Sequence, residues 1–205
     1  MDGIEPDQEI APSPEEMPLP GEIIIDVCFN IRAFVDDIDL QTQLIQQLAG
    51  LRDSQPRFHP PEGKPDERLS LTQMCGRITQ TTQQILHFEA IADVCAFTKL
   101  SADNDPEWMD SKLIARGVTP AELSRWLTRP PRALLLAVLD EIRPLIRLLQ
   151  QYAQALRNAP EAKTVLVDNV RPVTLRELAE ELLLTIQKPA DYLQDVRDYA
   201  QKRLK

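Results

Sequence analysis

Residues Arg132 to Asn158 read RALLLAVLDEIRPLIRLLQQYAQALRN, the longest apolar-periodic run in the chain. Leu135, Val138, Leu139, Ile142, Leu145, Ile146, Leu149, Tyr152, Ala153 and Leu156 recur at i, i+3, i+4 and i+7, which lays them along one stripe of an α-helix. Leu134, Leu136 and Leu148 widen that stripe. A helix apolar over so much of its circumference is stable only when other helices cover several of its sides. The segment therefore reads as the hub of a helical bundle.

The remaining segments carry the same period. Six glycines in 205 residues and scarce alternation disfavour a sheet. The 17 prolines fall mainly between periodic runs or at their starts, where a missing N–H is tolerated. From Glu22, the residues Ile24, Val27, Cys28, Ile31, Phe34, Val35, Ile38, Ile45 and Leu48 trace one face. Asp36, Asp37 and Asp39 are expected to interrupt this run, with Asp39 capping a second helix. Residues 52–68, rich in proline, read as a long exposed loop.

Ser70 and Gln73 fit a capping box, opening a helix that ends near Leu100. Asp105-Pro106 and Thr119-Pro120 open two short helices, with Gly117 placed to end the first. Thr174 and Glu177 repeat the capping box of Thr119 and Glu122, and Lys188-Pro189 reads as the start of a last helix. Val165-Leu166-Val167 reads as an extended connector, because a single strand has no partner.

Residues 1–21 hold Asp2, Glu5, Asp7, Glu9, Glu15 and Glu16, no basic residue and five prolines. Such a segment buries too little apolar surface to offset the entropy of ordering, so it is expected to be disordered when free. It reads either as a solubilising tail or as an acidic peptide that docks on a basic groove. The predicted organisation is an all-α bundle of about six to eight helices. The acidic tail spans 1–21, a helical hairpin 22–100 and a C-terminal bundle 104–205, the last two able to share one core.

The net charge of −9 is uneven, with carboxylates in excess in the front half and basic residues behind. Cys28, Cys75 and Cys95 are odd in number and lie among helix-periodic apolar residues, which suits buried reduced thiols rather than a disulfide framework. No apolar run reaches the roughly 20 residues of a membrane span, and no basic-plus-apolar leader is visible. These features predict a cytoplasmic protein away from the membrane.

Three function classes compete. Gly117 to Leu127 resembles the opening of a helix-turn-helix unit, with Arg125, Arg129, Arg132, Arg143 and Arg147 nearby. The helix that follows begins Ala133-Leu134-Leu135-Leu136, whereas a recognition helix must present polar groups to base edges. Overall acidity also opposes phosphate contact, so nucleic acid is disfavoured as a partner. Glu177 and Glu180, then Asp195 and Asp198, form two acidic pairs that could converge on Mg²⁺ if they sat on facing helices. In this the chain is similar to all-α nucleoside-triphosphate pyrophosphohydrolases, but the second pair begins with aspartate and the groups expected around a nucleotide are not evident.

Asp103, Asp105 and Glu107 do not continue as a calcium loop, and His59 and His87 have no zinc spacing to the cysteines. No phosphate loop or nucleophile elbow occurs. The sequence thus predicts no catalytic residue, metal or cofactor. The remaining reading is a non-enzymatic adaptor, assembly factor or regulator that binds a protein partner, or a second copy of itself, through helical surfaces. Trp108, Trp126, Arg125, Arg129 and Arg132 are the candidate contact patch, with core packing the alternative for both tryptophans.

Overall fold

A computed structural model of the chain describes residues 19–49, 57–100, 105–163, 165–167 and 172–204. Six α-helices lie among them: α1 (Pro20–Ala49), α2 (Leu71–Leu100), α3 (Pro106–Ala115), α4 (Pro120–Leu127), α5 (Pro131–Asn158) and α6 (Leu175–Arg203). The architecture is all-α. Of the expected acidic tail, residues 1–18 lie outside the described residues, and α1 begins at Pro20 within its predicted end.

Helices α1 and α2 form an antiparallel hairpin. Gly21 approaches α2 so closely that a Cβ there would stand 2.9 Å from Leu100 Cγ. Thr82 Oγ1 donates to Asp39 Oδ1 (2.7 Å) further along the pair. The structure differs here from the sequence reading: α1 runs unbroken through Asp36, Asp37 and Asp39, and Asp39 accepts from α2 instead of capping a second helix. Asp36 and Asp37 face solvent, while Ile31, Val35, Ile38 and Ile45 hold the buried side in register on both sides of them. The α2 start is capped as predicted, with Ser70 N donating to Gln73 Oε1 (2.8 Å) and Gln73 N to Ser70 Oγ (3.1 Å).

Helices α5 and α6 form the second antiparallel pair. Polar ties run along their shared edge: Arg132 to Gln201, Arg197 to Asp140, Arg143 to Gln194 and Gln150 to Gln187. Leu134, Leu135, Val138, Leu139, Ile142, Leu149, Tyr152 and Leu156 of α5 are buried, in one cluster with apolar residues of α1, α2 and α6. Burying a side chain of this size stabilises by about 1.5–3 kcal/mol, so the α5 stripe alone is a large share of the driving force.

Three further local expectations differ from the structure. Pro189 does not start a helix: α6 passes through it. Leu178, Leu182, Ile186, Leu193 and Ala200 are buried on both sides of the proline, and that continuous burial outweighs the roughly 3 kcal/mol of a helix-interior proline. Val165–Val167 has a partner after all, pairing antiparallel with Pro172–Thr174 in a two-stranded ladder. The loop before α2 is partly tucked in, since Phe58 and Leu69 are buried and bridged through their backbones.

The short helices α3 and α4 lie against α2. Asp105 caps α3, accepting from the backbone N–H of Glu107 (3.1 Å) and Trp108 (3.2 Å). Gly117 ends that segment at φ 68°, a left-handed conformation that glycine adopts without a Cβ penalty.

Candidate functional site

The predicted contact residues separate into two places. Trp126 is buried, its ring tilted against Phe88 at 6.2 Å and covered by the Arg129 guanidinium at 4.6 Å. Trp108 is 38% exposed and packs on Phe97 at 5.2 Å. Phe88 and Phe97 are nine residues apart on α2, about 13 Å along its axis, so the two tryptophans do not form one patch. Core packing is the role of Trp126. Arg125 is exposed, and Arg132 Nη2 donates to the Gln201 carbonyl (3.1 Å), tying α5 to the end of α6. In the N-terminal half of α5, Leu134, Leu135, Val138, Leu139 and Ile142 turn into the core and Asp140 and Glu141 hold the exposed side, so the leucine-rich face is closed to base edges and the open side carries acids.

The four carboxylates of the Mg²⁺ reading also separate. All lie on the single helix α6, with Glu180 and Asp195 about 22 Å apart along its axis, too far to share one ion. Glu177 is instead occupied at the N-terminus, where its Oε2 accepts from Thr174 N (2.7 Å). Among the described residues no group of three or more His, Cys, Asp or Glu is placed to hold a metal ion.

A buried charge cluster joins α1, α2 and α3. Glu89 is fully buried and Asp93 nearly so. Arg32 Nη1 lies 3.5 Å from Glu89 Oε1 and 3.1 Å from Asp93 Oδ2. Lys112 Nζ reaches Glu89 Oε1 at 3.1 Å and also contacts Asp93 Oδ2. Burial pushes the Glu89 carboxyl up, against the opposing pull of Lys112 and Arg32. The Cys28 thiol points at the Glu89 carbonyl (3.6 Å) and is itself raised well above its ordinary value by burial and by the two carboxylates. A thiol held protonated in this way is a poor nucleophile and a poor metal ligand. One signal in the sequence marks the cluster: Glu89 and Asp93 flank Ala90, Ile91 and Ala92 in a run too apolar to turn both acids to water.

His87 links α2 to α4. Its Nδ1 faces the Arg116 carbonyl (2.8 Å) and its Nε2 the Glu122 carboxylate (2.9 Å). Partial burial pulls the imidazole down, but these two acceptors outweigh it and the net shift is upward.

A groove runs between α5 and α6. Its main depression holds about 690 Å³ and is lined by Arg147, Gln150, Gln151, Gln154, Leu183 and Gln187, with His59 and Pro61 closing one side. Two smaller depressions, of 160 and 450 Å³, share lining residues with it and carry it toward Arg143 and toward Arg157. An amide network runs along it: Gln150 Nε2 donates to Gln187 Oε1 (3.1 Å), and Gln187 Nε2 donates to Asp191 Oδ1 (2.6 Å). Arg143 Nη2 donates to Gln194 Oε1 (2.8 Å), and Gln194 Nε2 donates to Asp198 Oδ1 (2.7 Å). Each of these amides keeps donor or acceptor capacity for a ligand. Among the described residues, Arg143, Arg147 and Arg157 have no carboxylate within ion-pair distance. The sequence signal was the polar edge of the hub helix, Arg143, Arg147, Gln150, Gln151, Gln154, Arg157 and Asn158, which recurs at helical spacing.

Compared with known proteins, the chain matches no family, no curated protein and no solved structure.

Proposed function

We propose that the protein is a non-enzymatic interaction module of the cytoplasm, an adaptor or regulator that docks a protein partner in the α5–α6 groove. The observation that carries this reading is the groove itself: a long depression on two rigid, mutually tied helices, lined by amides and by arginines without a carboxylate partner among the described residues. Three free, buried cysteines support a reducing compartment. Among the described residues no helix is long and apolar enough to cross a membrane, which also fits that location.

A photo-crosslinking amino acid at Gln151, with a control at the exposed Ile114, tests the reading in the cells that make the protein. One discrete adduct from the groove position and none from the control is the expected result. No adduct, or the same adducts from both positions, overturns it.

A second copy of the chain is a second reading, favoured by Phe29 and Leu40, which stand 65% and 67% exposed on α1. Sedimentation velocity decides it: a dimer that dissociates on Leu40→Glu supports pairing through α1, and a monomer at all concentrations removes it.

A further inference from the structure

The spacing of cations along the α5–α6 groove specifies more than a docking site. Taking about 100° per residue, Arg143, Arg147, Gln150, Gln151, Gln154 and Arg157 fall within an arc of about 120° on α5, so they present one continuous face. Arg143 and Arg147 are about 6 Å apart along the axis, and Arg147 and Arg157 about 15 Å. An extended chain rises about 3.3 Å per residue. Two carboxylates two residues apart therefore match the first arginine pair, and a third, four or five residues further on, matches Arg157. Between these points the groove offers amides in place of charges, which suits the alternating N–H and C=O groups of an extended backbone. Beside Arg157 the groove carries Leu184, 68% exposed, an apolar contact for a residue preceding the third acid.

Resting on the interaction-module reading, we infer that the groove takes an extended acidic segment of a partner protein, with carboxylates at positions n, n+2 and about n+6 to n+7. Three guanidinium groups line the groove against one carboxylate, Glu180, while Asp191 and Asp198 flank it and are engaged by the amides of Gln187 and Gln194. The three guanidinium groups meet the segment's carboxylates at contact distance, and the amides set its register.

The test is fluorescence anisotropy on the full chain with a labelled peptide, Gly-Asp-Ala-Asp-Ala-Leu-Ala-Asp-Ala-Gly. The expected result is saturable binding that weakens with added salt. Affinity should fall at least tenfold when the three Asp become Asn, and at least tenfold for the protein variant Arg147→Gln with Arg157→Gln. The exposed control Arg203→Gln, outside the groove, should leave affinity unchanged, and circular dichroism reports whether each variant keeps its helices. Equal binding of the Asn peptide, or no effect of the double variant with helices intact, overturns the inference. So does displacement of the peptide by an octamer of single-stranded DNA at equal charge, which assigns the groove to phosphate. A tenfold rise in affinity on deleting residues 1–18 assigns it to the chain's own carboxylates rather than to a partner's. If the peptide fails while the photo-crosslinker at Gln151 still captures one protein, the acidic chemistry falls and the interaction module stands. If both fail, the module falls as well.

Discussion

Lys112 on α3 places its ammonium nitrogen 3.1 Å from Oε1 of Glu89, a carboxylate on α2 with no exposure to solvent. The pair decides how α3 is held, because Leu113 is the only residue of that short helix that is buried. A desolvated carboxylate is tolerated only while cations offset the loss of water, and here Lys112 and Arg32 supply them from two different helices.

Lys112→Met removes one of those cations and leaves Glu89 with Arg32 alone. We expect a loss of about 3 kcal/mol in denaturant unfolding. Glu89→Gln, which removes the buried charge itself, should cost less. The double variant should be more stable than the sum of the two predicts, since the pair is coupled.

Replacement of the two tryptophans should separate their roles. Trp126→Ala opens a cavity between Phe88 and Arg129 and should cost about 3–5 kcal/mol. Trp108→Ala, at a half-open site on Phe97, should cost about 1 kcal/mol. Thermal unfolding followed by circular dichroism measures both, and equal losses would contradict the placement.

His87 makes stability depend on pH. Its folded-state pKa is raised above the ordinary value, so the folded protein holds the proton more tightly than the unfolded chain. The resulting stability is complete below about pH 6.5 and is lost as pH rises through the raised value. Stability should therefore decline as pH rises from the ordinary histidine value through the raised one. Glu122→Gln keeps the hydrogen-bond acceptor but removes the negative charge, so it should flatten that decline, measured as unfolding free energy at each pH.

Two identical caps should respond differently. Thr174 and Glu177 close a full box, whereas at Thr119 the carboxylate of Glu122 turns to His87. Thr174→Ala and Thr119→Ala should each cost about 1 kcal/mol. Thr174→Ala, which removes no titrating group, should leave the His87-dependent decline in place and Glu122→Gln should not, which chemical denaturation at two pH values resolves.

Much of the architecture was legible in the residues themselves. The caps at Ser70, Asp105, Thr119 and Thr174, the turn at Gly117 and the buried stripe of α5 stand where the pattern puts them. Prolines and acidic runs were the misleading signals. Pro189 and Asp36 to Asp39 carry local penalties that the buried faces of α6 and α1 override, and such burial is not visible in a window of a few residues. The candidate groove was legible only as a polar edge on the hub helix. Its depth and its arginines without carboxylates depend on α6.

The sequence alone determined the capped helix starts and the sides the helices bury, because caps and stripes are made by residues within about four positions of one another. Tertiary structure decided the rest. Arg32 meets Asp93 across 61 positions and Arg143 meets Gln194 across 51. A charge that must be buried, or a guanidinium left to line a groove, is settled by what arrives from the neighbouring helix, and helical periodicity carries no record of that neighbour.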